Sequence, residues 1–194
     1  MNTKVERKEL SHEAILESAG RFIRQLGISG TRVADVMTGA GLTVGGFYAH
    51  FGSKEKLIDE TLRRTGDGLR EKLFARLDEK PEGARFEVIL KRYLSAAHRD
   101  AQTLGCPLPA VVGEIGTTAG EHVSVLSEGL ESLVGGLREH LPRGTPQPRL
   151  LAIGLVALMY GGLSLARAVK GTPLSDEILR ACRMAGVAVV SAIR

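Results

Sequence analysis

Side chains that donate hydrogen bonds lie close together between Arg32 and Lys54. Tyr48 and His50 are two residues apart, Arg32 precedes them and Lys54 follows them. No Asp or Glu occurs from Met37 to Lys54, so an anionic polymer can approach this stretch without repulsion. Phenol, imidazole, guanidinium and ammonium groups are donors that proteins direct at phosphate oxygens. These residue types therefore indicate contacts with a phosphate backbone.

Two short helical patterns joined by glycines must position these donors. Thr31 is predicted to cap the first helix, and Gly39-Ala40-Gly41 then permits a tight reversal. Thr43 is predicted to cap the second helix, in which Phe47 and Phe51 face inward. This is the outline of a helix-turn-helix. The residues expected at its nucleic-acid surface are Thr31, Arg32, Thr43, Val44, Gly45, Gly46, Tyr48, Ala49, His50 and Lys54.

A long helix is predicted to follow this motif. Ser53 is a suitable N-cap, which places Lys54 in a first turn whose backbone N–H groups are unpaired. Lys54 and this helix N-terminus are therefore expected to bind a phosphate together. The helix is predicted to continue to Pro81, with one apolar face formed by Leu62, Leu69, Leu73 and Leu77.

An amphipathic helix is also predicted before the motif. Ser11 is its expected N-cap and Gly27 its end. Its apolar residues follow the helical period: Ile15, Ala19, Phe22, Ile23 and Leu26. With the two helices of the motif it predicts a three-helix N-terminal domain over residues 1–56, and the second domain is predicted to cover residues 57–194.

The second domain has helical periodicity and no alternating pattern typical of strands. One helix is predicted from Phe86 to Ala97 and a short apolar helix to about Gly113. A longer helix is predicted between Glu121 and the loop PRGTPQP, because leucines from Leu126 to Leu141 repeat at three and four residues. Helices over Leu150–Ala166 and Asp176–Ile193 follow, the last capped by Ser175 and carrying the stripe Ile178, Cys182, Ala185, Val189 and Ile193. The predicted fold class is therefore all-α.

The segment Leu150–Ala166 is the most apolar of the chain. Its 17 residues carry no charge, fewer than the roughly 20 that cross a bilayer, so it is predicted to be a buried helix and no membrane partner is expected. Gly154, Ala157, Gly161 and Gly162 permit close approach of another helix. Because one small subunit cannot cover an apolar helix on all sides, we expect a homodimer in which each subunit contributes the last two helices to a four-helix bundle.

The amino-acid composition limits the classes of protein to which the chain can belong. The 194 residues are 43% hydrophobic and 25% charged, which predicts a folded globular chain. The net charge of +4 is divided evenly along the chain, so it identifies no partner alone. Residues 1–10 are polar and charged and do not resemble a signal peptide, and Cys106 and Cys182 lack metal-ligand spacing. A cytoplasmic location without a metal or cofactor is expected.

The stretch GLTVGGFYAHFGSKEKL resembles the DNA-binding domain of the TetR family of bacterial transcriptional repressors. The family typically shows a small-residue turn, an aromatic-Tyr-x-His-Phe run and a following Ser-Lys, and the resemblance extends upstream through AILESAGRFIRQLGISGTRVADV. Arg32 and Ala34 depart from the small hydroxyl and polar residues that the family more often has there. The resemblance implies an N-terminal helix-turn-helix domain and a C-terminal helical ligand-binding and dimerisation domain. It also implies a repressor whose dimer binds a pseudo-palindromic operator and responds to a small-molecule effector.

The effector site and the role of Cys106 stay open at the level of sequence. Tyr93, Cys106, Met159 and Tyr160 can line an apolar cavity in the second domain, or fill its core. Cys106 is alternatively a thiol-based redox sensor, or a nucleophile with a histidine as its base, the candidates being His98, His122 and His140. Because Cys106 precedes a proline in an apolar kink and no oxyanion-hole glycine motif surrounds it, the sequence predicts a protein that is not an enzyme.

Overall fold

Helices form all the regular secondary structure in the computed structural model, which describes residues 3–101, 103 and 105–192. The all-α fold class is therefore confirmed for this part of the chain. The α-helices are α1 (Lys4–Gly30), α2 (Val33–Gly39), α3 (Lys54–Phe74), α4 (Glu82–Tyr93), α5 (Ala96–Asp100), α6 (Leu108–Ile115), α7 (Val123–Glu139), α8 (Pro148–Ala168) and α9 (Pro173–Ser191). Two 3₁₀ helices cover Val44–Ala49 and Gly120–His122.

Helix α1 begins earlier than predicted. Thr3, not Ser11, is its N-cap, because Thr3 and Glu6 form a reciprocal capping box. The Thr3 backbone N–H donates to the Glu6 carboxylate at 2.6 Å, and the Glu6 N–H donates to the Thr3 hydroxyl at 3.2 Å. The predicted end at Gly27 corresponds to a real break, since Gly27 has φ 73° and ψ −173° inside the helix. One further turn then leads to Gly30.

The contacts divide the chain into two compact units. The first comprises residues 3–67, 103 and 105–127, and the second comprises residues 68–101 and 128–192. The first unit has two apolar clusters, one around Ile15, Met37, Phe47 and Phe51 and the other around Ile23 and Val111. The predicted functional boundary between residues 56 and 57 stays a prediction.

Two predicted helices end earlier than expected. Helix α3 ends at Phe74, because Arg76 adopts a left-handed conformation with φ 54°, and Leu77 is buried beyond the helix end. The helix predicted over Phe86–Ala97 is interrupted at Leu94. Ser95 then caps α5 by accepting a hydrogen bond from the His98 N–H at 3.1 Å. A local side-chain cap thus overrides an apolar periodicity that continues through it.

Helix α8 packs against α9 in the second unit. Its 21 residues make it the one helix of the described chain that is long and apolar enough to span a membrane, and 39% of its most apolar window is buried. Leu155, Met159 and Leu163 lie in the core. The predicted Ser175 cap is wrong: Thr172 is the N-cap of α9, and the buried Ser175 hydroxyl donates to the Ala166 carbonyl at 2.7 Å.

The stripe predicted along α9 is only partly buried, with Ile178 half-buried at its start. Leu179, Gly186 and Val190 are buried, whereas Ala185 and Val189 are exposed. Cys182 is half-buried at the edge of the two sets. Ile193, the last member of the predicted stripe, lies outside the described residues.

Candidate nucleic-acid interface

A tight turn joins α2 to the 3₁₀ helix Val44–Ala49. Gly41 occupies a left-handed conformation, with φ 72°, which favours glycine. Gly39 lies against α1, where an added Cβ would come within 2.5 Å of the Ser18 hydroxyl. Arg21 of α1 also donates a hydrogen bond to the Gly39 carbonyl at 3.1 Å. The predicted glycine turn is therefore present, and α1 fixes its position.

The second helix of the motif is a 3₁₀ helix over six residues, not an α-helix. Its hydrogen bonds span three residues, as from the Gly46 N–H to the Thr43 carbonyl at 3.0 Å and from the His50 N–H to the Phe47 carbonyl at 2.9 Å. Gly45 and Gly46 are poor α-helix formers, and Thr43 occupies the N-cap position without a side-chain hydrogen bond. The predicted Thr43 side-chain cap is therefore wrong.

The two faces of this 3₁₀ helix are sharply different, as predicted. Phe47 and Phe51 are 2% and 3% exposed, and their rings stack with centroids 5.9 Å apart. Tyr48 is 78% exposed and Val44 is 50% exposed. Of the other residues predicted at the surface, Arg32, Thr43, Gly45 and Ala49 are exposed, and Gly46, His50 and Lys54 are half-buried.

Thr31 does not lie at this surface. Its side chain is 1% exposed, and its hydroxyl donates to the Gly27 carbonyl at 2.6 Å. Thr31 therefore ends α1 instead of capping α2, whose N-cap position is held by Arg32 without a side-chain hydrogen bond. The break at Gly27 frees a carbonyl that accepts the threonine hydroxyl. The predicted cap is wrong, and Thr31 is buried at the end of α1.

His50 lies at the edge of the surface beside a second histidine. The ring centroids of His50 and His12 are 6.0 Å apart, and the Nδ1 of His50 is buried with no hydrogen-bond partner in the described part of the chain. Burial lowers the pKa of His50, and the nearby His12 and Lys8 lower it further. His12 itself lies 2.5 Å from the Glu60 carboxylate and stacks on Phe51. His50 is therefore neutral near pH 7.

The predicted cap of α3 is confirmed. The Ser53 hydroxyl accepts a hydrogen bond from the Lys56 N–H at 3.3 Å, and Lys54 begins the helix. The same hydroxyl is the main cause of the lowered pKa of Glu55. Lys54 and the first-turn N–H groups thus lie one short loop after Tyr48 and His50.

Sequence reasoning missed the residues that hold the end of α1. Glu114 of α6 accepts hydrogen bonds from the Ile28 N–H at 3.0 Å, the Ser29 N–H at 2.8 Å and the Ser29 hydroxyl at 2.6 Å. Arg24 donates to the Gly105 and Thr103 carbonyls at 2.7 and 3.0 Å. These contacts join residues about 80 positions apart. The only local signal is that Glu114 is the single charged residue of α6.

The four residues predicted to line an effector cavity belong to two different units, and their assignment to one cavity stays a prediction. Tyr93 and Met159 are 1% and 0% exposed and fill the core of the second unit, where Tyr160 is half-buried. Cys106 belongs to the first unit and is 1% exposed. Of the three candidate bases, His122 also belongs to the first unit, where its Nδ1 lies 2.7 Å from the Asp59 carboxylate.

Known proteins resemble the chain in two ways. The sequence model described as bacterial regulatory proteins, tetR family, matches residues 15–61. The HTH-type transcriptional repressor KstR2 of Mycobacterium tuberculosis is 42% identical over 62 residues, which are 32% of this chain and 29% of the relative. The match with this curated relative thus spans less than a third of the relative's own length.

Solved structures share the fold over nearly the whole chain. A TetR transcriptional regulator from Chloroflexus aurantiacus superposes with a TM-score of 0.80 and 21% identity, covering 95% of this chain and 96% of its own. NemR of E. coli, in its reduced form, superposes with a TM-score of 0.79 and 21% identity, covering 94% and 96%. The sequence match covers the helix-turn-helix, and the structural likeness extends the fold beyond it. Residues 15–61 therefore match the tetR family of bacterial regulatory proteins, and the chain shares its fold with a solved TetR transcriptional regulator.

Proposed function

We propose that the chain is a DNA-binding transcriptional repressor whose base-reading surface is the 3₁₀ helix Val44–Ala49. The observation that carries the proposal is its exposed Tyr48 and Val44 above the buried Phe47 and Phe51. A protein that leaves a tyrosine 78% exposed on a rigidly anchored segment has a group available for a partner. Gly45 and Gly46 have no side chains, so the backbone of this segment can approach a DNA groove closely.

Phosphate contacts are assigned to the residues around this helix. Lys54 and the N-terminus of α3 offer a positive charge and backbone N–H donors at one end. Arg32 is exposed before α2, and the Tyr48 hydroxyl can donate to a phosphate between them. Thr43, Val44, Gly45, Gly46 and Ala49 remain the proposed groove-facing positions, and His50 a proposed phosphate contact. The side chain of Thr31 is not part of the proposed interface, because it is buried.

A homodimer is proposed from the uncovered faces of α8 and α9. The exposed side of α8 carries only small and apolar residues over most of its length: Leu150, Ile153, Gly154, Ala157 and Leu165. On α9, Leu174 and Val189 are 51% and 46% exposed. Two copies that cover these faces form a four-helix bundle and present two readers. Such a dimer reads half-sites of a pseudo-palindrome about 34 Å apart, one helical turn of DNA.

The repressor is further proposed to respond to a small molecule held by the second domain. An effector that binds the DNA-incompatible dimer more tightly, with a coupling of about 1–3 kcal/mol, weakens operator binding roughly 5- to 150-fold. Because its target is DNA, the proposed repressor is expected in the cytoplasm.

The proposal is tested by selecting duplexes from random DNA with the purified protein and then measuring affinity by fluorescence anisotropy at fixed salt. Tyr48→Phe removes one exposed hydroxyl and should weaken operator binding by about 0.5–1.5 kcal/mol without changing the unfolding temperature. Tyr160→Phe, the same change at a half-buried position of the second unit, is the matched control and should leave DNA affinity unchanged.

His50 adds a pH dependence to the same assay. Because its pKa is lowered in the free protein, a phosphate beside it gains a cation only as pH falls below the ordinary value of 6.5. Operator binding should therefore tighten in that range for the wild type and not for His50→Ala. A Tyr48→Phe/His50→Ala double variant that is folded and binds the selected DNA as well as the wild type would refute the assignment of this surface.

A further inference from the structure

An open groove of about 410 Å³ lies between α4 and α9 in the second unit. None of the four residues predicted to form an effector site lines it. Its volume falls within the roughly 300–1,000 Å³ of small-molecule sites. The groove is therefore large enough for a ligand and lies at a place that sequence reasoning did not indicate.

The floor and one wall of the groove are apolar. Leu90 of α4 is fully buried at the base, and Met184 and Val187 of α9 form the wall. Met184 is 66% exposed, more than Leu174 or Val189 of the same helix. A flexible, unbranched side chain such as methionine adapts to an aliphatic chain laid against it. An apolar tail placed here removes the methionine from water.

The rim of the groove is positively charged. Lys91, Arg180 and Arg183 line it together with one acid, Glu87, which is paired with Lys91 at 2.6 Å. Arg183 is held in place by donating to the Leu94 carbonyl at the end of α4. Arg180 is exposed and has no ion pair within the described residues. Two arginines thus remain to balance a negative charge above an apolar floor.

The groove is distinct from the face of α9 assigned to the dimer. At 100° per residue, Arg180, Met184 and Val187 lie about 140° around the helix from Leu174, Ala185 and Val189. A second copy that covers the latter set therefore leaves the groove open to solvent.

We propose that this groove binds a small anionic amphiphile, with an aliphatic tail along Leu90, Met184 and Val187 and a carboxylate at Arg180 and Arg183. The apolar wall selects for the tail and the unbalanced arginines select for the negative head group. A neutral or cationic amphiphile of the same length satisfies only the first condition.

The test is isothermal titration calorimetry of the full chain with decanoate, decanol and decylammonium, without DNA, so its outcome is independent of the DNA-binding proposal. Decanoate should bind most tightly. Arg180→Gln should weaken decanoate about two- to fivefold, as expected for one exposed charge contact, and leave decanol unchanged. Arg143→Gln, at a 96% exposed arginine outside the groove, is the matched control and should change neither. Equal affinities for decanoate and decanol, or no effect of Arg180→Gln, would overturn the proposal.

A second variant separates a ligand groove from a contact between copies. Met184→Glu places a carboxylate against the tail and should weaken both decanoate and decanol while the sedimentation coefficient stays that of the wild type. If Met184→Glu instead converts a dimer to a monomer, the groove is an interface between two copies and the ligand proposal is overturned.

Discussion

Substitutions at Gly27 and Glu114 are expected to have coupled effects on the free energy of unfolding. Gly27 has φ 73° and ψ −173°, a region open essentially to glycine only, and an added Cβ would overlap the Glu114 carboxylate. Gly27→Ala therefore has two costs: backbone strain of about 1–3 kcal/mol, and displacement of the carboxylate that accepts from Ile28 and Ser29. Glu114→Ala has only the second cost, about 1–3 kcal/mol, because the Ile28 N–H is left in a buried position.

The effects of these two substitutions on the free energy of unfolding should therefore not be additive. In a chain that already carries Glu114→Ala, Gly27→Ala should cost only its strain, so the coupling energy is about 1–2 kcal/mol. The assay is equilibrium urea unfolding followed by circular dichroism for the wild type, both single variants and the double variant. Gly41→Ala is the matched control: its φ is 72° but an added Cβ meets nothing within 4 Å, so its cost should be the same with and without Glu114. Additivity of Gly27→Ala and Glu114→Ala within about 0.5 kcal/mol would refute the reasoning.

Three further predictions follow from single positions. Gly161→Glu should produce a folded monomer in sedimentation, because an added Cβ at Gly161 meets no atom of its own protomer within 4 Å. Gly162→Ala should instead lower the unfolding temperature, because its Cβ comes within 2.8 Å of the Cys182 sulfur. A Gly161→Glu variant that is still a dimer would contradict the proposed four-helix bundle. Lys54→Ala should weaken operator and unrelated DNA by a similar factor and reduce the salt slope by about one, and weakening of the operator alone would exclude a phosphate contact. Burial lowers the pKa of His98, so as the pH falls the unfolded chain binds a proton at this histidine before the folded chain does. The free energy of unfolding should therefore decrease as the pH is lowered from 6.5 toward the folded pKa. His98→Gln should reduce this pH dependence in urea titrations.

Local chemistry was sufficient to predict the frame of the candidate interface. Phe47 and Phe51 are large apolar residues four positions apart, and nothing polar competes with them for the core, so their inward orientation follows from the sequence. The reversal at Gly41 and the Ser53 cap follow from the conformational range of glycine and from the hydroxyl at a helix start. The same reasoning correctly left Tyr48 on the outside.

Competition between neighbouring caps was not predictable in the same way. Thr3 and Ser11 are both acceptable caps for α1, and only Thr3 has its reciprocal partner Glu6. Thr31 has the composition of an N-cap, but its hydroxyl bonds backward to Gly27, because the break in α1 leaves a carbonyl there. The choice depends on φ and ψ values that a residue pattern does not contain.

Contacts between residues that are far apart in the sequence were the second feature that could not be predicted. The contact from Glu114 to the end of α1 spans 86 residues, and the charge of Glu114 alone does not identify its partner. The groove between α4 and α9 likewise depends on how two helices approach each other. The assignment of DNA-contacting residues stays a prediction.

In the proposed dimer, the uncovered face of α8 makes the stability of each newly made subunit depend on the concentration of the other subunits. A helix apolar enough to span a membrane, yet only 39% buried over its most apolar window, presents to water a surface that a partner is proposed to cover. By mass action, the folded state of each copy is then stabilised by the concentration of its own kind. A scarce subunit is exposed to proteases and non-specific association, whereas an abundant one is protected. A cell that lowers the synthesis of such a regulator therefore removes it more steeply than the change in synthesis alone implies.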